Sequence, residues 1–337
     1  IMKRNRSRVS RLIVLATSAL LGAAPVATTQ GSSESSTHVN QVLEWNQIFI
    51  LTLIATSTPN SSSQRLGAIV HTAMFDAYNG IDQRYTPIFV HSTAPNGASR
   101  KAAVIAAAHT ALVGLFQTQQ AALDESYRVS LAALSAACER GERPHGRPRS
   151  CPTSIERGVA WGTEVAHIVL GWRANDGFAM SYPPFAGGTA VGQWRPVPPA
   201  TAMSAQGLAF TDPFVLVSNT QFRPAPPRGL SSTTYTDDFN AVKSLGRKTG
   251  STRTEDQRAV SPFWEGNASV HWNQAANQIA RANHLSVGKS NRLLAVLNIA
   301  MADTALTVWS AKRYYGANSM EVTWRPATSI PLADTDG

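Results

Sequence analysis

Asn291–Gly337 reads NRLLAVLNIAMADTALTVWSAKRYYGANSMEVTWRPATSIPLADTDG. From Val287 to Lys312 the chain is apolar on most faces, which predicts a long, central, buried helix. Asp303, Trp309 and Lys312 interrupt that apolar surface, and the triplet Trp324-Arg-Pro326 follows it. Polar groups carried into a core by such a helix need partners, so these positions are the first candidates for chemistry.

Working outward, the chain repeats the helical pattern on both sides of one interruption. Val42, Trp45, Ile48, Phe49 and Leu53 recur at helical steps. Leu66, Val70, Met74 and Ala77 form the stripe of a second helix, about 64–78. Residues 99–116 are almost wholly apolar apart from His109, and further helices are predicted at about 119–137 and 154–173. From Met180 to Arg228 prolines crowd in, which excludes a regular helix or a central strand. Helices resume near Thr233, with a capping-box pattern at Thr252-x-x-Glu255 and two more helices at about 268–284 and 287–312. The expected fold is all-α, with about nine helices, no strands and no detectable internal repeat. The division is a first bundle at 39–179, a proline-rich connection at 180–232 and the start of a second bundle at 233–337.

The N-terminus predicts export. Lys3, Arg4, Arg6, Arg8 and Arg11 precede an apolar run from Leu12 to Ala24, too short for a membrane span and suited to a signal peptide ending near residue 27. Residues 28–38 read as a flexible leader, and no later apolar run suggests a membrane span. The expected location is therefore secreted or periplasmic. The formal net charge is +9; the first eleven residues hold five cations and no anions, so the remainder carries only +4. Without a basic cluster interleaved with aromatics, this balance argues against a nucleic-acid partner. The only two cysteines, Cys138 and Cys151, flank a polar loop. In an exported chain they are expected to form a disulfide contributing about 3 kcal/mol.

Several motifs carry no chemistry. Val287-Gly-Lys-Ser290 lacks the earlier glycine and the preceding strand of a phosphate loop, so Ser286 or Ser290 reads as a helix cap. His71 and Asp76 are five apart and do not share a helical face. His71 and His109 read as core histidines bonded to backbone.

The segment with Asp303, Trp309, Lys312 and Arg325 resembles the first of three vanadate-binding motifs of the vanadium-dependent haloperoxidases, in the type 2 phosphatidic acid phosphatase superfamily. His71-Thr-Ala-Met-Phe-Asp-Ala-Tyr78, Gly192-Gln-Trp-Arg-Pro196 and Arg253-Thr-Glu-Asp-Gln257 with Phe263-Trp264 are similar to family segments in the same order. The resemblance implies helical bundles of the haloperoxidase type, a vanadate cofactor, and hydrogen peroxide and halide as substrates. It casts Lys312 and Arg325 as catalytic and vanadate-binding, and Trp309 as the wall of the pocket. A tetrahedral oxyanion suits an Arg fork and a Lys point charge. The family's later Pro-Ser-Gly-His and Ser-Arg…His motifs, which bring the metal-ligating histidine, do not occur in the chain. The expectation is therefore a truncated family member, its second bundle incomplete and inactive alone. An acid phosphatase of the same superfamily and a non-catalytic exported helical protein remain the alternative readings, and a homo-oligomer stays open.

The motif departs from the family in its spacing. Seven helical steps return a residue to within about 20° of its start, whereas the thirteen from Lys312 to Arg325 leave about 220°. Both can face one anion only if 315–323 loops out, for which Gly316, Asn318 and Ser319 are suited. The first test is the cysteine pair: mass spectrometry of exported material should find Cys138 joined to Cys151, and two free thiols would contradict the reading.

Overall fold

The computed structural model describes residues 39–140, 151–318 and 320–333. The signal peptide, the leader, the loop at 141–150 and the last four residues lie outside the described residues. Those described contain ten α-helices and no strand. They are α1 (Gln41–Ala55), α2 (Asn60–Asp82), α3 (Arg100–Leu115), α4 (Gln120–Glu139), α5 (Cys151–Ala174), α6 (Thr233–Leu245), α7 (Glu255–Glu265), α8 (Ala268–Ala282), α9 (Val287–Ala317) and α10 (Pro326–Leu332). Helix α10 was not foreseen. It starts with proline at its first position, where no backbone donor is needed, but is too short to show periodicity. The capping box of α7 sits two residues later than expected, with Thr254 as cap and Gln257 as its partner. Ser286 caps α9 by accepting from the Lys289 N–H. Cys138 and Cys151 are joined.

Helix α2 lies at the centre, against α3, α5 and α9. Its stripe Arg65, Ile69, Ala73 and Ala77 is buried. Small residues let α3 and α5 approach closely: Ala102, Ala103, Ala106 and Ala107 are fully buried, and a Cβ on Gly162 would strike the Ala103 carbonyl at 2.1 Å. At the far end of α5, Asp176 accepts from Arg65 at 2.7 Å and Arg173 at 2.6 Å, so neither buried guanidinium is left unpaired.

The structure reveals a repeat that periodicity alone did not. Asn46 donates to the Asn273 carbonyl, 227 positions later, and the same offset relates α1–α2 to α8–α9 without a gap. It pairs Asn40 with Asn267, Trp45 with Trp272, Ser63 with Ser290, Arg65 with Arg292, His71 with Asn298, Met74 with Met301 and Asp76 with Asp303. Contacts between the halves are reciprocal, as a two-fold relation requires. Asn40 donates to the Leu285 carbonyl and to Ser290 Oγ; Asn267 donates to the Thr58 carbonyl and accepts from Ser63 Oγ. Helices α8 and α9, expected to start a second bundle, thus share one core with α1 and α2.

A buried polar ladder runs along this relation. His71 Nε2 meets Asn46 Oδ1 at 3.0 Å, and the equivalent Asn298 and Asn273 exchange hydrogen bonds at 2.9 and 3.0 Å. Asn46 also donates to Asn277 Oδ1 at 2.9 Å. His71 is a core histidine as expected, but its partner is a side chain rather than backbone. Burial holds its pKa down to about 3. His109 departs further: it is half-buried, stacks on Tyr127 and meets Asp124 at 2.7 Å.

The symmetry ends at the outer faces. The α9 counterparts of the buried α2 stripe, Arg292, Val296, Ala300 and Thr304, are exposed. Trp45 is 0% exposed, with its ring edge on His109 of α3, whereas its counterpart Trp272 is 47% exposed.

His71 gives a pH prediction. An unfolded histidine takes up a proton near pH 6.5, while the folded one resists until about pH 3. Stability is therefore lost as pH falls through that window, at up to about 1.4 kcal/mol per pH unit. His71→Asn installs the residue found at the equivalent position. It should cost about 1 kcal/mol at pH 7 through the lost contact with Phe49, yet show a flatter decline. Urea unfolding at pH 7 and pH 5 should show the unmodified chain losing about 2 kcal/mol more than the variant.

Candidate oxyanion site

The site is built where the proline-rich connection wraps the last three turns of α9. Asp303 anchors it. The sequence offered this carboxylate a hydrogen bond within the bundle, or a merely structural polar contact. The structure has it reach out of the bundle, accepting from the backbone N–H groups of Phe214 (2.7 Å), Val215 (3.0 Å) and Leu216 (3.1 Å). Its counterpart Asp76 does the same for Ile88, Phe89 and Val90. Both carboxylates hold a Pro-led apolar segment, Pro213–Leu216 and Pro87–Val90. Phe89 and Phe214 then meet the same ring, Trp172, one stacked and one edge-on.

Beyond Asp303 the connection is tied to α9 turn by turn. Trp309 Nε1 donates to the Ser204 carbonyl at 3.2 Å, Arg223 to Ser310 Oγ at 3.1 Å and Tyr315 Oη to the Pro224 carbonyl at 2.6 Å. Gly192 and Trp194 hold the strap after α9: Thr323 N–H donates to the Gly192 carbonyl, and Trp194 N–H donates to Thr323 Oγ1. Gly192 has φ +82°, a conformation that favours glycine. The two Trp-Arg-Pro triplets of the sequence are thereby brought side by side, and the Arg195 guanidinium lies 5.0 Å from the Trp324 ring.

This strap resolves the spacing problem, one turn later than foreseen. Residues 315–317 remain helical, and the chain leaves the helix at Asn318 to return at Pro326. Arg325 stands at the N-cap position of α10, without a side-chain hydrogen bond to the helix, and comes near enough to Lys312 to act on its charge. Partial burial and then the Arg325 charge both lower the Lys312 pKa. Lys312 Nζ lies 4.6 Å from the Trp309 ring, which holds the ammonium by its face. Lys312, Arg325 and Trp309 are thus brought into one neighbourhood. Among the described residues neither cation has an ion-pair partner.

Two neighbouring, unpaired cations beside an aromatic wall fit an oxyanion: charge and donors are in place and unspent. Ligation of a metal by the described residues is another matter, since no three His, Cys, Asp or Glu among them are grouped to hold a metal ion. Sequence reading gave Arg195, Arg223 and Arg313 no role in holding an anion. The signal that could have found Arg195 is the repeated Trp-Arg-Pro itself.

Comparison with solved structures gives one informative likeness. A bacterial vanadium-dependent iodoperoxidase superposes with a TM-score of 0.66 at 19% identity, over 88% of this chain and 72% of that one. The two share an all-α fold. No family model matches, and no curated protein matches.

The Asp303 clamp is directly testable. Asp303→Ala strands three backbone donors and should cost about 3–5 kcal/mol. Limited proteolysis should then cut first within 204–224. Asp76→Ala should destabilise comparably but open 85–91 instead. Identical cleavage maps for the two variants would show that the carboxylates do not act locally.

Proposed function

We propose that this chain is a vanadate-dependent haloperoxidase-like protein, in which the end of α9 and the strap after it supply the cationic part of the cofactor site. The observation that carries the reading is the Lys312–Arg325 neighbourhood: two cations without an acidic partner among the described residues, one of which, Lys312, is held over the Trp309 ring and has its pKa lowered by burial and then by the charge of the other. The fold shared with a vanadium iodoperoxidase supports it.

In this reading Arg325, with its planar fork, and Lys312, as a point charge, would hold vanadate. When bound, vanadate activates hydrogen peroxide towards attack by halide. The residues of this chain orient and screen. Trp309 fixes the ammonium and excludes water from one side, which strengthens its field. The lowered pKa of Lys312 makes it a better proton donor at its Nζ than an exposed lysine would be. We further propose that the protein is exported and that its substrates are peroxide and halide.

With no group of three His, Cys, Asp or Glu among the described residues to hold a metal ion, vanadate should be held by charge alone, weakly and reversibly, because water competes for each exposed hydrogen bond. Vanadium-51 NMR titration of the 337-residue chain should show fast-exchange binding, weakened about tenfold by Arg325→Ala, roughly the worth of one charged hydrogen bond. Bromination of phenol red should stay at background. Vanadate binding unmoved by Arg325→Ala and Lys312→Ala together would refute the site, and brisk bromination would refute the predicted inactivity.

A further inference from the structure

We propose a second anion site on a different face of α9, a cavity that takes a small aromatic carboxylate. Arg313 and Tyr314 lie three and four residues after Ser310 and four and three before Ala317, so the four share one side of the helix, from which Lys312 is turned away. Together with Ala209, Phe210, Asn219 and Arg223 they line a cavity of about 610 Å³. That is a ligand-sized space, far larger than a bare inorganic anion needs.

Its charge is uncompensated. No carboxylate lines the cavity, and neither Arg223 nor Arg313 has an ion-pair partner among the described residues. The Nε of each is buried without a hydrogen-bond partner. The carboxyl end of α9 lies nearby, but its dipole is worth about half a negative charge, against two full positive ones. Both guanidiniums are pre-positioned. Arg223 lies 4.0 Å from the centre of the Tyr314 ring, and Arg313 lies 4.2 Å from that of Phe185. A guanidinium stacked by its face keeps N–H groups to spare, in Arg223 beyond the one given to Ser310, and a planar set of donors can grip a carboxylate by two hydrogen bonds.

The rest of the lining chooses the body of the ligand. Phe210, half-exposed and stacked on Tyr182, offers a ring face, and Ala209 and Ala317 offer apolar walls. An aromatic acid can therefore place its carboxylate on the arginines and its ring on Phe210.

Calorimetric titration of the full chain with benzoate and with acetate tests this. Saturable binding of benzoate, at least tenfold tighter than acetate, is expected. Arg223→Met and Arg313→Met should each weaken it tenfold or more, while Arg325→Ala should leave it unchanged. That last arm separates this cavity from the oxyanion site, so either reading can fail without the other. Thr220→Asp guards against variants that merely misfold. A carboxylate on this cavity-lining residue should pair with the arginines, raise the melting temperature by a few degrees and abolish benzoate binding. Benzoate bound no better than acetate, equal loss in Arg325→Ala, or a Thr220→Asp chain unchanged in both melting and binding would overturn the proposal.

Discussion

The carboxylate of Asp303 is the fixed point on which the candidate site depends. A proline-rich segment cannot satisfy its own backbone donors by helix or sheet, so it must borrow acceptors from what it crosses. Asp303 accepts three consecutive N–H groups from 214–216 and thereby fixes where the connection meets α9. Everything C-terminal on that helix face follows. With 214–216 held, Arg223 reaches Ser310 and Pro224 reaches Tyr315; upstream, Ser204 receives Trp309 and Gly192 receives the strap. The strap in turn delivers Arg325 to Lys312. Asp76 shows that the device is general in this fold. Burial pushes its pKa up, three N–H groups pull it down, and the segment it holds packs on the same Trp172 ring as the segment held by Asp303.

The two carboxylates are also the visible ends of one repeated unit. A helix pair with buried amides at matched positions can pack on a copy of itself only if those amides find partners, and the reciprocal Asn contacts supply them. This makes the pairing of α1–α2 with α8–α9 specific in register, because a shift along the helix would strand every amide in an apolar interior. The same relation explains why Trp272 and Val296 are exposed while Trp45 and Ile69 are not. They stand on equivalent positions, but only one set has α3 and α5 beside it.

Helix type, the irregular connection and the cysteine pair were legible because each is written in local pattern: apolar periodicity, proline density, and two thiols in a chain read as exported. The repeat escaped because periodicity weighs apolar residues, whereas the equivalence is carried by Asn40, Asn46, Asn267 and Asn273 and by two aspartates, and the helices between the copies mask it. Lys312, Trp309 and Arg325 were suggested by resemblance, and helical geometry alone argued against pairing Lys312 with Arg325, since thirteen steps point them apart. What reconciles them is a strap fixed by Gly192 and Thr323, a long-range contact that no window of sequence contains. Arg223 was invisible for the same reason, lying 87 residues from the serine it meets.

The end of α9 carries adjacent cations, Lys312 and Arg313, that the fold sends to different environments. Lys312 joins Arg325 beside Trp309, while Arg313 joins Arg223 above a cavity walled by aromatic rings. Four cations around one helix end exceed what its dipole can balance. Mutual repulsion on each face would loosen the wrapping segment were the charges not dispersed over ring faces, and three of the four rest on aromatic rings: Trp309, Phe185 and Tyr314. Such stacking stabilises each cation while leaving most of its hydrogen-bond donors unspent. An arrangement that keeps cations apart from carboxylates, yet holds them still, is suited to receiving anions from outside. Arg325 is the member without a ring of its own. It stands where the strap enters α10, which packs on α6, so the proposed oxyanion site draws its geometry from the strap and α10, while the cavity draws its geometry from the helix and the connection together.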